Sequence, residues 1–224
     1  MRFLSLVAAF IILYTPILNA QDFTFDGDKM TVVFEASLDK KKLHSAVFAA
    51  VANIYNSAND VVQMSDAEAG KIIVKGTSKV TLEDPSKLTD PKNDFILKYQ
   101  EYFVEHSINI DIKDDKYRIE FLVGEKHLFF MGNKYVHNKI AVPWLTFASP
   151  SETETQDYVE NLKNAFAENR LTKGLLKKKK YIAYFDAIPS IWKENVEAIR
   201  QMSRNIALRI NSSIVNEGNQ DDNW

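Results

Sequence analysis

The sequence predicts an α+β fold: an antiparallel β-sheet with helices packed on one face, followed by a C-terminal helical extension. Three observations carry this. Tyr102, Val104, His106, Ile108, Ile110 and Ile112 take every second position, and after Asp114-Asp115-Lys116 the alternation resumes at Tyr117, Ile119, Phe121 and Val123. That is the period of two strands with one buried face, a β-hairpin over residues 102–123. Residues 60–65 and 71–81 form two further β-rich runs on either side of Asp66-Ala67-Glu68-Ala69-Gly70. Helical spacing, in contrast, governs Leu43, Val47, Val51 and Ile54, and again Trp192, Val196, Ile199, Ser203, Ile206 and Ile210.

Taken in order, the chain opens on a secretory signal peptide over residues 1–20. Arg2 supplies the positive start, residues 3–14 are almost wholly apolar, and Leu18-Asn19-Ala20 places a small residue before Gln21. The apolar run is shorter than the roughly 20 residues of a spanning helix, and Pro16 interrupts its end. No second span follows, so the expected mature protein is exported and has no transmembrane segment.

Residues 21–148 make up the sheet domain. Residues 30–36, rich in β-branched and aromatic side chains, read as a short strand. Ser37 or Asp39 can cap the helix that follows, to about residue 56. The runs 60–65 and 71–81 form a second hairpin, in which Gly70 suits the positive φ of a bulged turn. Two prolines and several polar residues make 83–94 a loop leading into the long hairpin. After it, the apolar patch at 128–131 and the Gly132-Asn133 turn signal indicate one or two closing strands.

Residues 149–215 change character and read as helical. Ser151 and Glu154 can form a capping box for a helix over 153–168. Pro189 is placed at the start of the last helix, because a first-turn amide has no helical partner to lose. The polar tail, residues 216–224, is expected to be disordered.

The run Ser57-Ala58-Asn59-Asp60-Val61-Val62-Gln63-Met64-Ser65-Asp66, then Gly70-Lys71-Ile72-Ile73-Val74-Lys75-Gly76, then Asp111-Ile112-Lys113-Asp114-Asp115-Lys116-Tyr117-Arg118 resembles an exported bacterial domain-of-unknown-function family described as having a TATA-binding-protein-like (TBP-like) fold. The resemblance covers roughly residues 30–142. It implies a curved antiparallel sheet with helices on one side, in envelope or periplasmic proteins of Gram-negative bacteria. The family brings no catalytic residues with it.

Chemistry is sparse. The chain has 224 residues, a formal net charge of −2 and no cysteine, which excludes disulfides, thiolate metal sites, cysteine nucleophiles and lipid attachment at an N-terminal cysteine. No G-x-S-x-G, P-loop, H-E-x-x-H or EF-hand pattern occurs, and no cofactor is implied. Of the four histidines, at 44, 106, 127 and 137, none has the i, i+4 spacing of a zinc pair. His106 lies on the apolar face of the long strand, as a satisfied sheet histidine would. His127 and His137 would approach one another across a hairpin centred on Gly132-Asn133, a two-histidine site without an obvious third ligand. Asp111, Asp114 and Asp115 cluster at a hairpin end, where carboxylates serve turns. Lys177-Lys178-Lys179-Lys180 beside Tyr181, Tyr184 and Phe185 is the one basic run with aromatic neighbours. A solvated linker between two helices accounts for it, and an anionic surface is the functional alternative.

DNA binding on the open sheet face would need basic residues and apolar wedges. The outward set of the long hairpin, Glu105, Ser107, Asn109, Asp111, Lys113, Arg118, Glu120 and Leu122, is mixed in charge. The expected function is therefore a non-catalytic binding module of the cell envelope, its partner a macromolecule or small ligand. The alternatives are a metal-assisted hydrolase using His127 and His137, and surface association through the tetralysine segment.

Overall fold

The computed structural model describes residues 22–55, 58–129, 139–141, 146–169 and 172–218, of which 58, 59, 125–129, 139–141 and 216–218 are described by their backbone. The expected signal peptide lies outside the described residues. In chain order the elements are β1 (Thr24–Asp26), β2 (Lys29–Glu35), α1 (Lys40–Tyr55), a short α2 (Ala58–Val61), β3 (Val62–Asp66), β4 (Lys71–Glu83), β5 (Tyr99–Lys113), β6 (Lys116–Phe129), β7 (Lys139–Ala141), α3 (Glu152–Glu168) and α4 (Lys179–Gly218). The seven strands form one antiparallel sheet in the order β1-β2-β6-β5-β4-β3, with β7 paired to β6 beyond the end of β2.

The long hairpin is the centre of that sheet. β5 and β6 meet at a two-residue turn, Asp114-Asp115, flanked by the pair Lys113↔Lys116. Asp115 takes the left-handed backbone (φ 62°), which a short polar side chain tolerates. The alternation works as the sequence predicts: Val104, Ile108, Ile110, Ile112, Tyr117, Ile119 and Phe121 are all buried. Burying side chains of this size stabilises the fold by about 1.5–3 kcal/mol each. Between the pairs Val104↔Leu128 and His106↔Val123, residues 124–127 of β6 lie opposite Glu105 alone. A bulge of this kind bends a sheet and increases its twist. The next hairpin turns at Gly70, whose φ is 69° and whose missing Cβ would stand 2.3 Å from the Ile112 carbonyl oxygen. Residues 60–65, expected as a strand throughout, instead finish α2 before β3 begins at Val62.

Two helices cover the buried face. Carboxylates on two different elements receive the first amides of α1: Asp39 accepts from Lys42 (2.9 Å) and Asp114, from the hairpin turn, accepts from Lys40 (2.9 Å). Leu43, Val47, Ala50 and Val51 then pack into the same cluster as Ile72, Ile108, Ile110 and Phe121. Helix α4 contributes Ile199, Met202, Ile206, Ile210 and Ile214 to that cluster. Its 40 residues extend about 60 Å, roughly the length of the 15-residue β5 at about 50 Å.

Polar side chains fix the register of α4 on the sheet. Asn195 Oδ1 accepts from the Glu83 N–H (2.9 Å) and Nδ2 donates to the Glu83 carbonyl (3.1 Å), so one buried amide continues the ladder at the end of β4. The Tyr117 hydroxyl donates to Asn211 Oδ1 (2.9 Å), and the buried Ser203 hydroxyl faces the Met30 sulfur at 3.2 Å. Arg200 donates twice to the Phe147 carbonyl (2.8 and 2.6 Å) and, with Arg204, stacks over the Phe25 ring.

The predicted capping box of α3 is present. Ser151 Oγ accepts from the Glu154 N–H (3.1 Å), and the Glu154 carboxylate accepts from the Ser151 N–H (2.8 Å). Pro189 is a correction: it lies inside α4, which begins at Lys179. An internal proline removes one helical hydrogen bond, a penalty of about 3 kcal/mol. Burial on both sides of it outweighs that loss. Phe185 and Ile188 pack with Val159 of α3 in a second apolar cluster, and Ile191 and Trp192 are buried immediately after. At the other end α4 continues to Gly218, past the boundary at 215, and residues 219–224 of the expected tail lie outside the described residues.

Candidate functional site

With α1 and α4 on one face, the odd-numbered side chains of β4 and β5 and the even-numbered ones of β6 as far as Leu122 are left on the other, and no described helix packs there. Lysines and acids run in adjacent columns across it. Lys71 faces Asp111 and Thr77 faces Glu105 across the β4–β5 ladder. Lys79 pairs with Glu101 (2.7 Å), and Arg118 with Asp111 (2.7 Å) and Glu120 (3.6 Å). Exposed pairs like these contribute about 0–1 kcal/mol each. They leave a face that is charged yet balanced, with Val33, Met64 and, at the start of β5, Tyr99 among its exposed apolar members.

Two depressions mark this side of the sheet. The larger, about 740 Å³, lies between Val33, Asp111, Lys113 and Arg118 and reaches Lys40 and Gly70 at the hairpin ends. A second, about 410 Å³, is walled by Lys75, Thr77, Glu105 and Ser107, with Gly76, His106 and Gly124 completing its lining.

His106 is the side chain whose chemistry could have been hidden in the sheet. Its Nδ1 is 3.1 Å from the Val104 carbonyl, which can only accept, so Nδ1 carries the proton. Nε2 is then bare and accepts from the Tyr55 hydroxyl at 2.6 Å. The ring stacks on Phe121 with centroids 4.5 Å apart. Burial lowers its pKa to about 4, partly opposed by the Val104 carbonyl, so the imidazole is neutral near pH 7. Burial likewise raises the Tyr55 pKa, partly opposed by its bond to Ser78. With both nitrogens engaged inside the protein, His106 is a satisfied core histidine. Gly76 makes the pair possible: a Cβ there would stand 2.5 Å from Tyr55 Cε1.

His44 is buried on α1, its Nε2 3.3 Å from Ser65 Oγ. His127 lies on β6 opposite Ala141, and His137 lies outside the described residues. Among the described residues no three His, Asp or Glu side chains come together as a metal site. Asp111 is engaged by Arg118, and Asp114 is spent on the amide of Lys40 across the fold. The four lysines are exposed where the chain enters α4. Their aromatic neighbours turn inward: Phe185 is buried against Phe166 (5.5 Å), Tyr184 is half-buried beside Phe185 (5.1 Å), and Tyr181 approaches Phe166 at 6.1 Å. Rings packed that way are not a stacking platform for bases. No described helix is long and apolar enough to cross a membrane.

Sequence reasoning missed Gly76 and the Tyr55–His106 bond, and it placed Asn195 on no face at all. The glycine directly opposite a histidine in the β4–β5 ladder was the one available signal.

Residues 30–122 match the model of a family described as a domain of unknown function (DUF4468) with TBP-like fold. The match runs from β2 into β6, and α3 and α4 lie beyond it. No curated protein matches the chain. Among solved structures, a TBP-like protein from Parabacteroides distasonis is similar at 11% identity, with 85% of this chain and 94% of that one covered and a TM-score of 0.47. A DUF4468 family protein from Bacteroides ovatus is similar at 11% identity, with 81% and 85% covered and a TM-score of 0.44.

Proposed function

We propose, from the premise of that family match over residues 30–122, that this protein is a non-catalytic binding module of the cell envelope whose uncovered sheet face is the binding surface. One observation supports it above the others: a seven-stranded sheet is sealed on one face by α1 and α4 while the opposite face presents two depressions and a balanced set of charges. Such a face suits a partner that is itself mixed in charge. It lacks the basic excess that a phosphate backbone requires. The export reading rests on Arg2, the apolar run 3–14 and Ala20 before Gln21.

The test places a photo-crosslinking amino acid at Thr77 or Glu105, both exposed on the open face, and at Asp186, exposed on α4. Illumination of cells should give a discrete adduct from Thr77 and Glu105 and none from Asp186. Adducts from Asp186 alone would overturn the assignment of the face. Turnover on a hydrolase panel that His127→Ala abolished would overturn the non-catalytic reading.

A further inference from the structure

The loop between β4 and β5 holds a run of apolar side chains in solvent. Phe95 is 98% exposed and Leu97 58%, and Tyr99, the first residue of β5, is 53% exposed. A fully exposed phenylalanine with two large apolar neighbours is unusual on a surface that otherwise buries its aromatics. The loop is held in place rather than frayed. Asp84 N–H donates to the Lys98 carbonyl (2.8 Å), Phe95 N–H to Asn93 Oδ1 (3.0 Å), and Lys87 Nζ to the Asn93 carbonyl (2.7 Å).

The tetralysine segment lies at the same end of the molecule. Helix α4 packs against the 3₁₀ turn Pro85–Leu88, and Tyr184 is close enough to Asp84 to feel its charge. Lys180 precedes Tyr184 by one helical turn, about 6 Å. Asn195 of α4 bonds Glu83 at the end of β4, so the loop that follows Glu83 and the exposed lysines at the start of α4 both lie at that end of the sheet. The loop's own charges balance, Asp84, Asp90 and Asp94 against Lys87, Lys92 and Lys98, so the net attraction for anions comes from Lys177–Lys180.

We propose that this end of the protein docks on an anionic lipid surface, with Phe95 and Leu97 entering the headgroup region and Lys177–Lys180 engaging its charge. Apolar tips flanked by cations are the chemistry of an interfacial anchor. Each lysine near such a surface strengthens binding about fivefold. The assignment is independent of the open sheet face, which lies along β4 to β6.

The test uses the chain beginning at Gln21 and sedimentation with vesicles of equal parts phosphatidylglycerol and phosphatidylcholine. Binding should be salt-sensitive and weak on phosphatidylcholine alone. Phe95→Ser with Leu97→Ser should weaken it at least tenfold, and changing all four lysines to glutamine should weaken it further and remove the salt dependence. These side chains are exposed, so an unchanged melting temperature certifies the variants. Absence of binding to the anionic vesicles, or binding that survives both variants, would overturn the proposal. So would a dimer of the parent chain that Phe95→Ser with Leu97→Ser converts to monomer without any vesicle binding, since the patch would then join two copies.

Discussion

Gly76→Ala probes the packing beneath the open face with a single methyl group. The added Cβ would stand 2.5 Å from Tyr55 Cε1, 3.0 Å from its Cζ and 3.2 Å from His106 Nε2. Carbon atoms pack best at about 3.5–4.0 Å. The Tyr55 ring cannot turn away without giving up its 2.6 Å bond to His106. Overpacking of this kind costs about 1–3 kcal/mol, and a buried Nε2 left without a donor adds about 1–3 kcal/mol. Against this, alanine is better than glycine in a strand by about 0.5–1 kcal/mol. A net loss of about 2–3 kcal/mol is expected, read as a lower midpoint in urea with unchanged slope. Tyr55→Leu removes the Cε1 atom, so in that background Gly76→Ala should cost at least 1 kcal/mol less, the coupling typical of residues in contact. An equal cost in both backgrounds would refute the reasoning.

Two further outcomes follow from the same fold. Because the folded pKa of His106 is about 4 and its ordinary value 6.5, the unfolded chain takes up the proton first as pH falls. The neutral ring's contribution is therefore complete above pH 6.5 and lost between 6.5 and about 4, a total of about 3 kcal/mol at about 1.4 kcal/mol per tenfold. Urea titrations across that window should show the loss in the parent and a flatter profile in His106→Phe; parallel profiles would contradict it. Asn195→Ala leaves the Glu83 N–H and carbonyl without the amide that completes them. It should destabilise by about 1–3 kcal/mol, with faster amide exchange at the end of β4.

How much of this could be read in advance depended on the range of the interaction. Ile108 and Phe121 declare their strands because one-sided burial imposes a period of two on neighbours, and Ser151 with Glu154 declares a helix start within four residues. Pro189 misled because its local rule, proline at a first turn, ignores the burial of Phe185 and Ile188 against α3, which is tertiary. The Tyr55–His106 bond joins residues 51 apart and the Asn195–Glu83 latch residues 112 apart. No periodicity links such positions. The open face was legible as a set of outward residues on β5 and β6, but its lysine column on β4 and its two depressions appear only once β4 is laid beside β5.

The absence of cysteine makes one measurement especially direct. Thr77→Cys and Glu105→Cys place a unique thiol on the open face, Asp186→Cys on the outer side of α4, and Ile108→Cys in the core. Maleimide labelling of purified protein should be complete at the first three and absent at the last. In intact cells the account predicts that Thr77→Cys and Glu105→Cys become protected while Asp186→Cys labels as before. Equal labelling of the face positions in cells and in purified protein would contradict the claim that the open sheet face is where this protein binds.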